Sequence, residues 1–301
     1  MIIKQRTVPK ELLILRYLDK RMKLLEVARL EKLEKGYAGE LQWDYLMTNG
    51  LSSPNYLMMN DLLFTNSGGH TFQIDSLLLK KKFIIFEVKN FDGEYFLENN
   101  RWYTIKKTEI QNPLIQLQRT ETAFRRLLKD LGINIPVEAY LVFVNPEFTL
   151  FYAPIHSSML LPSQINRFIQ NTNRDVYSIT AHDEALAERI VSCHLDKNPF
   201  ERLPNYSYQE LIKGIPCSYC GMFLFPCSQS YIYCKSCGNR QLVEEAILRS
   251  LVEFQKLFPD KLLTTNGVFD WCGGVVSEKS VRRILKKQYI SQSSQRYTYF
   301  I

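Results

Sequence analysis

The stretch TFQIDSLLLKKKFIIFEVKNF constrains the fold more than any other part of the chain. Two runs rich in apolar residues flank three lysines, and that pattern reads as a hairpin. If Lys80 to Lys82 form a three-residue loop, Leu79 pairs with Phe83. Counting outward puts Asp75 opposite Glu87 and Gln73 opposite Lys89. Side chains alternate along a strand, so Phe83, Ile85, Glu87 and Lys89 share one face and Ile84, Phe86 and Val88 the other. A slip of one residue would send Asp75 to the wrong face, so the loop length carries the assignment. FIIF is apolar on both faces, the mark of a central strand.

Like charges directly opposite each other destabilise a sheet. Beside apolar neighbours, Asp75 and Glu87 would raise each other's pKa unless a cation lay between them. A hard divalent cation such as Mg²⁺ takes oxygen ligands, needs only one or two carboxylates and keeps several waters. It polarises a phosphoryl oxygen and lowers the pKa of an attacking water. Lys89, two residues on and on the same face, is placed to position that water or to stabilise developing charge. The plainer alternative is an exposed Glu–Lys pair on an amphipathic strand, which is common and worth little. The apolar run leading into Glu87 argues for the first reading.

The flanking sequence supplies the frame. Leu12, Leu15, Leu18, Met22, Leu25 and Leu33 recur at helical spacing and predict one amphipathic helix over residues 8 to 35, ending near Gly36. A short second helix from Ala38 to Thr48 carries Glu40. NYLMMNDLLF, TFQIDSLLL, FIIFEVKN, GEYFL and RWYTI then read as a strand meander. A helix over residues 113 to 131, strands at VEAYLVFV and FTLFYA, and a helix near 183 to 194 follow. This order predicts a mixed α/β domain over residues 1 to 200, closed by the linker NPFERLPNYSYQ.

The spacing of Asp75 and Glu87-Val88-Lys89 resembles the metal-binding core of the PD-(D/E)XK nuclease superfamily. More narrowly, the region resembles the nuclease-related domain, NERD. QIDSLLL resembles that family's acidic strand, and FEVKNFDGEY its E-x-K strand with the turn glycine at Gly93. Trp102, NPLIQLQ at 112 to 118 and GYAGE at 36 to 40 complete the likeness, which covers roughly residues 36 to 150. Ser76 stands where many members carry a histidine. The resemblance implies that Asp75, Glu87 and the Val88 carbonyl hold Mg²⁺ or Mn²⁺ and that Lys89 is the catalytic lysine. It also implies an auxiliary acid at Glu40 and a polar group at Gln116. A helix-start carboxylate and a capping amide are the alternatives for those two.

Cys217-x2-Cys220 and Cys234-x2-Cys237, thirteen residues apart, have the number and spacing of a structural Zn²⁺ site and resemble a zinc ribbon. Each pair is followed by glycine, which tolerates the positive φ of a tight knuckle. Cys227, between the pairs, is left as a possible substitute ligand, and two disulfides are the alternative. The rest of the chain, 241 to 301, reads as a basic helical module. From Cys272 onward it holds six Lys and Arg against one acid, Glu278. Arg282, Arg283, Lys286 and Lys287 cluster on one predicted helix. Helix, turn, short helix, Gly-Gly turn and basic helix resemble a helix-turn-helix or winged-helix unit. A solvated helix face is the alternative.

The expected architecture is therefore α/β. A PD-(D/E)XK nuclease-like mixed sheet flanked by helices (residues 1–200, core 36–150) is followed by the linker and zinc-ribbon module (201–240) and a helix-turn-helix-like module (241–301). A net charge of +7 suits an anionic partner. No run of 18 apolar residues or secretory pattern is present, and the CxxC pairs fit a reducing compartment, so the expected location is the cytoplasm. The function expected is metal-dependent hydrolysis of nucleic acid, DNA before RNA. The alternative is a non-catalytic nucleic-acid-binding or scaffold protein that keeps the fold.

Overall fold

The apolar periodicity over residues 8 to 35 does not make one helix. The computed structural model describes residues 1–52, 55–153, 155, 158–199, 201–293 and 298–301. In it, strand β1 (Ile2–Lys4) precedes helix α1 (Lys10–Arg21) and helix α2 (Val27–Gly50). The stripe that buries Leu12, Leu15 and Leu18 runs out at Arg21, and Leu25 at the next helical position is 90% exposed. Helix α2 passes straight through Gly36, where a side chain would meet nothing. The expected second helix is its continuation.

The described residues divide into two units, Met1–Val8 with Glu31–Glu201 and Pro9–Leu30 with Arg202–Ile301. Helix α1, expected in the first unit, therefore packs in the second. Its buried Arg21 explains why: the guanidinium donates to both carboxylate oxygens of Glu253 at 2.8 and 2.7 Å and to the carbonyls of Ile212 and Gly214. It also lies 3.7 Å from the Trp271 ring.

The first unit continues through β2 (Leu57–Thr65), β3 (Thr71–Leu79), β4 (Phe83–Lys89), β5 (Gly93–Glu98), β6 (Arg101–Thr104) and β7 (Glu109–Ile110). Next come α3 (Pro113–Asp130), β8 (Val137–Phe143), β9 (Phe148–Phe151), β10 (Met159–Leu160), α4 (Pro162–Arg174) and α5 (Ala181–Ser192). A six-stranded mixed sheet has the order β1-β2-β3-β4-β8-β10. β3 is antiparallel to β2 and β4, while β8 runs parallel to β4. The meander is thus interrupted. β5, β6 and β7 join β9 in a separate four-stranded sheet, because β8, buried at five of its seven positions, takes the place beside β4. A strand that must be covered on both faces suits β8 better than the amphipathic GEYFL.

Strand alternation divides the core. Ile84, Phe86 and Val88 pack with Trp43 and Met47 of α2 and Ile165 and Ile169 of α4. Phe83 and Ile85 pack on the other face with Leu117, Phe124 and Leu127 of α3 and with Trp102. The sheet is therefore flanked by helices on both faces, and β4 is a central strand as its composition required. Helix α4 and strand β10 were not anticipated.

The second unit holds a three-stranded sheet of β11 (Phe225–Pro226), β12 (Tyr231–Tyr233) and β13 (Arg240–Leu242). Helices α6 (Val243–Leu257), α7 (Thr265–Trp271) and α8 (Glu278–Gln288) follow, and then a hairpin of β14 (Ser291–Ser293) and β15 (Thr298–Phe300). The three helices follow the order read from the sequence, and the pairing of β14 with β15 was not anticipated. No helix among the described residues is long and apolar enough to cross a membrane.

Candidate functional site

The β3–β4 hairpin keeps the register that its three-lysine loop required. Leu79 faces Phe83, and the pairing runs to Ser76 opposite Phe86. There the ladder stops, and Asp75 does something else with its polar groups. Its Oδ2 accepts the Val88 N–H at 2.8 Å, and its carbonyl accepts from Arg6 at 2.7 Å. The Lys89 carbonyl is bound by the Val144 N–H of the β8 side. Successive residues of a strand point their backbone groups to opposite edges, so the Val88 carbonyl shares the β3-facing edge with Asp75. Gln73, counted as the partner of Lys89, instead lies opposite Leu63 and donates to Asp61.

Glu87 is 2% exposed, and its Oε1 gathers two donors. Lys89 Nζ lies 2.8 Å away and Gln116 Nε2 2.5 Å away, while Lys89 also donates to Gln116 Oε1 at 3.0 Å. Gln116 reaches this point because α3 starts sharply. The Asn112 side chain caps the Leu114 N–H, and Pro113 occupies the first turn, where no amide donor is needed. The first turn of α3 thus stands over the end of β4.

Glu40 approaches from α2. Gly39 is what lets the helix come this close, since a Cβ there would lie 2.4 Å from the Asn90 Cβ just past β4. Glu40 Oε2 accepts from Arg6 at 2.7 Å, and the same guanidinium pairs with both oxygens of Asp44 at 2.8 and 3.1 Å. Arg6 is buried, with a side chain 2% exposed. It ties α2 to the Asp75 backbone.

These acids crowd one another. Burial, then the charge of Asp75, pushes Glu87 up to about 7, against the pull of Lys89 and Gln116. Burial, then Asp75, pushes Glu40 up to about 8, with Arg6 opposing. Burial also raises Asp75, although the Val88 N–H, Lys89 and Arg6 favour its charged form. The cluster holds more carboxylate than its two cations neutralise, so a further cation fits the donor set.

Residues 35–144 match the family model of the nuclease-related domain. The chain carries a nuclease-related domain. No curated protein and no solved structure matches the chain. The matched segment takes in Glu40, Asp75, Glu87, Val88, Lys89 and Gln116, which the fold brings to one end of the sheet. Arg6 lies outside it, and sequence reading missed it. A single arginine in MIIKQRTVPK carries no periodic or spacing signal, and its partners lie 34 to 69 residues away.

The four cysteines Cys217, Cys220, Cys234 and Cys237 converge, with all Sγ atoms within 4.8 Å of one another. Tetrahedral Zn²⁺ with Zn–S near 2.3 Å requires sulfurs about 3.8 Å apart, so the cluster fits zinc. The two knuckles repeat one geometry. Cys217 N–H bonds the Met222 carbonyl and Cys234 N–H the Asn239 carbonyl, while Gly221 and Gly238, at φ 77° and 72°, bond back to the first cysteine of each pair. Cys227 is exposed, lies outside the cluster and accepts from Arg240. Cys217 Sγ lies 3.8 Å from Cys237 Sγ and Cys220 Sγ 3.4 Å from Cys234 Sγ, spacings that suit two ligands of one zinc rather than a disulfide bond.

On α8, Val281, Ile284 and Leu285 are buried, while Arg282, Arg283, Lys286 and Lys287 are all exposed. Ser277 caps the helix through the Ser280 N–H. Lys287 is partly used in a pair with Glu244 at 2.6 Å.

Proposed function

We propose that the nuclease-related domain hydrolyses phosphodiester bonds of nucleic acid, with DNA as the first substrate. Asp75, Glu87 and the Val88 carbonyl would hold one Mg²⁺ or Mn²⁺. When bound, that ion supplies Lewis-acid polarisation of the phosphoryl oxygen and an acidified water. The observation that carries the reading is the contact of Lys89 and Gln116 with the one buried carboxylate oxygen of Glu87, beside Asp75.

The chain's own residues have separable tasks. Asp75 is oriented by the Val88 N–H, which bonds one of its two carboxylate oxygens. Lys89 brings a charge to the face on which Glu87 sits, where an attacking water and a scissile phosphate would meet, and it stabilises the charge of the pentacoordinate state. Gln116 holds both Glu87 and Lys89 and so fixes their distance. Glu40, held near neutrality by burial, is suited to trade a proton with bulk water at neutral pH.

The exposed cations Arg282, Arg283, Lys286 and Lys287 on α8 would grip the phosphate backbone. The same cations support a second reading, a nucleic-acid-binding protein without turnover, because they need no metal centre. Free thiols arranged for zinc suit a reducing compartment, and we place the protein in the cytoplasm. The reading is tested with supercoiled plasmid and Mg²⁺ or Mn²⁺. Nicking that disappears in Glu87→Ala and Lys89→Ala supports it, and intact plasmid across metals and pH, with binding retained, favours the second reading.

A further inference from the structure

The three-stranded sheet of the zinc module has two unlike faces. Residues directly opposite each other in antiparallel strands share a face. Phe225 pairs with Tyr233 and Tyr233 with Arg240, while Tyr231 pairs with Leu242. One face is therefore Phe225, Tyr233, Arg240, Tyr231 and Leu242. The other carries Ile232 and Gln241, both buried, and Gln241 donates to Cys217 Sγ at 3.4 Å. The core and the sulfurs lie on that second side.

The aromatic face is not covered. Phe225 is 39% and Tyr231 40% exposed, so both rings present part of their surface to solvent on one face. Cations stand over the same rings. Lys235 Nζ lies 4.0 Å from the Phe225 centroid, and the Arg240 guanidinium 5.1 Å from that of Tyr231. No acidic residue occurs between Glu210 and Glu244. Exposed rings interleaved with cations, in a segment without acids from Leu211 to Val243, match a strand whose bases are free to stack and whose phosphates need neutralising. A duplex offers no such faces, because its bases are already stacked.

We infer that this sheet face is a binding platform for single-stranded nucleic acid, with bases on Phe225 and Tyr231 and phosphates on Lys235 and Arg240. The inference rests on nucleic acid being the partner, as proposed above, and adds the site and the form of strand. It gives the zinc module a task beyond holding itself together. It also separates two modes of attachment in one unit, duplex phosphates at α8 and an unpaired strand at the ribbon.

The test is fluorescence anisotropy with a labelled oligothymidylate and a labelled duplex, using zinc-loaded full-length protein in a Glu87→Ala background. Phe225→Ala and Tyr231→Ala should each weaken single-strand binding about tenfold. Duplex binding should change by less than about twofold, since α8 is untouched. Lys235→Ala and Arg240→Ala should each lower the salt slope of single-strand binding by about 0.7. Tyr231→Phe should retain binding, and zinc content and melting should stay unchanged in every variant. Single-strand affinity unaffected by either ring, with duplex still bound, overturns the platform and leaves the face to a protein partner. Equal losses for duplex and single strand overturn it as well. Protein that binds neither form, before any ring is removed, refutes instead the nucleic-acid reading on which the platform rests.

Discussion

The Arg6 guanidinium lies 2.7 Å from Glu40 Oε2, and from there it reaches the Asp75 carbonyl. One buried cation thus joins the N-terminal segment, helix α2 and the metal-site strand, although it lies 29 residues ahead of the matched family segment. Arg6→Ala leaves Glu40 and Asp44 without their partner and should cost about 2 kcal/mol, discounted from buried-pair values because both acids are partly exposed. Added Mg²⁺ or Mn²⁺ should restore more melting temperature to this variant than to the parent, because a cation is missing from the acid cluster. Arg6→Lys should lie between. Differential scanning calorimetry with and without metal measures all three.

The raised carboxylates fix a direction for pH. Glu87 ionises near 4.5 when unfolded and about 7 when folded, and Glu40 near 4.5 and about 8. Between those values the folded state holds more protons than the unfolded one, so stability falls as pH rises. Without divalent metal, the first unit should lose stability from pH 5 toward pH 8, and Glu87→Gln should flatten part of that slope. Saturating metal, which binds the ionised acids, should counter the loss at the upper end. Melting curves across pH, read with and without metal, test the sign.

How much of this was legible beforehand varies with the kind of signal. The hairpin register needed only the three-lysine loop, and it brought out Asp75, Glu87 and Lys89. Gln116 came only from the family resemblance, through NPLIQLQ, and the zinc cluster from ligand spacing. Local patterns sufficed because each is set by a few consecutive residues. The break between α1 and α2 was illegible, since the apolar period continues across it and the cause is Arg21, whose partner Glu253 lies 232 residues away. The second sheet was hidden for a related reason. GEYFL and RWYTI alternate like any strands, and only competition with β8 for the edge of β4 removes them from the meander.

Arg21 makes its own prediction. With both Arg21 and Glu253 buried, Arg21→Ala strands a carboxylate in the core of the second unit and should cost about 3–5 kcal/mol. Replacing the pair together, Arg21→Met with Glu253→Leu, should recover most of that loss. Urea denaturation of the single and double variants separates pairing from packing.

The zinc module is tested by metal analysis of protein expressed with sufficient zinc. About one zinc per chain is expected. Cys217→Ser or Cys234→Ser should lower it and destabilise the second unit, while Cys227→Ser should leave zinc content unchanged because Cys227 lies outside the cluster.

The central claim is that Asp75, Glu87 and Lys89 form one working metal centre. Its most direct test is the single-turnover rate of DNA cleavage against Mn²⁺ concentration, with metal binding followed separately by calorimetry. Glu87→Ala should lose both metal affinity and cleavage. Lys89→Ala should keep most metal affinity while its saturated rate falls by about 100-fold or more. Parent protein that binds DNA yet leaves it uncut at every metal concentration and pH would contradict the account, as would cleavage that survives Glu87→Ala and Lys89→Ala unchanged.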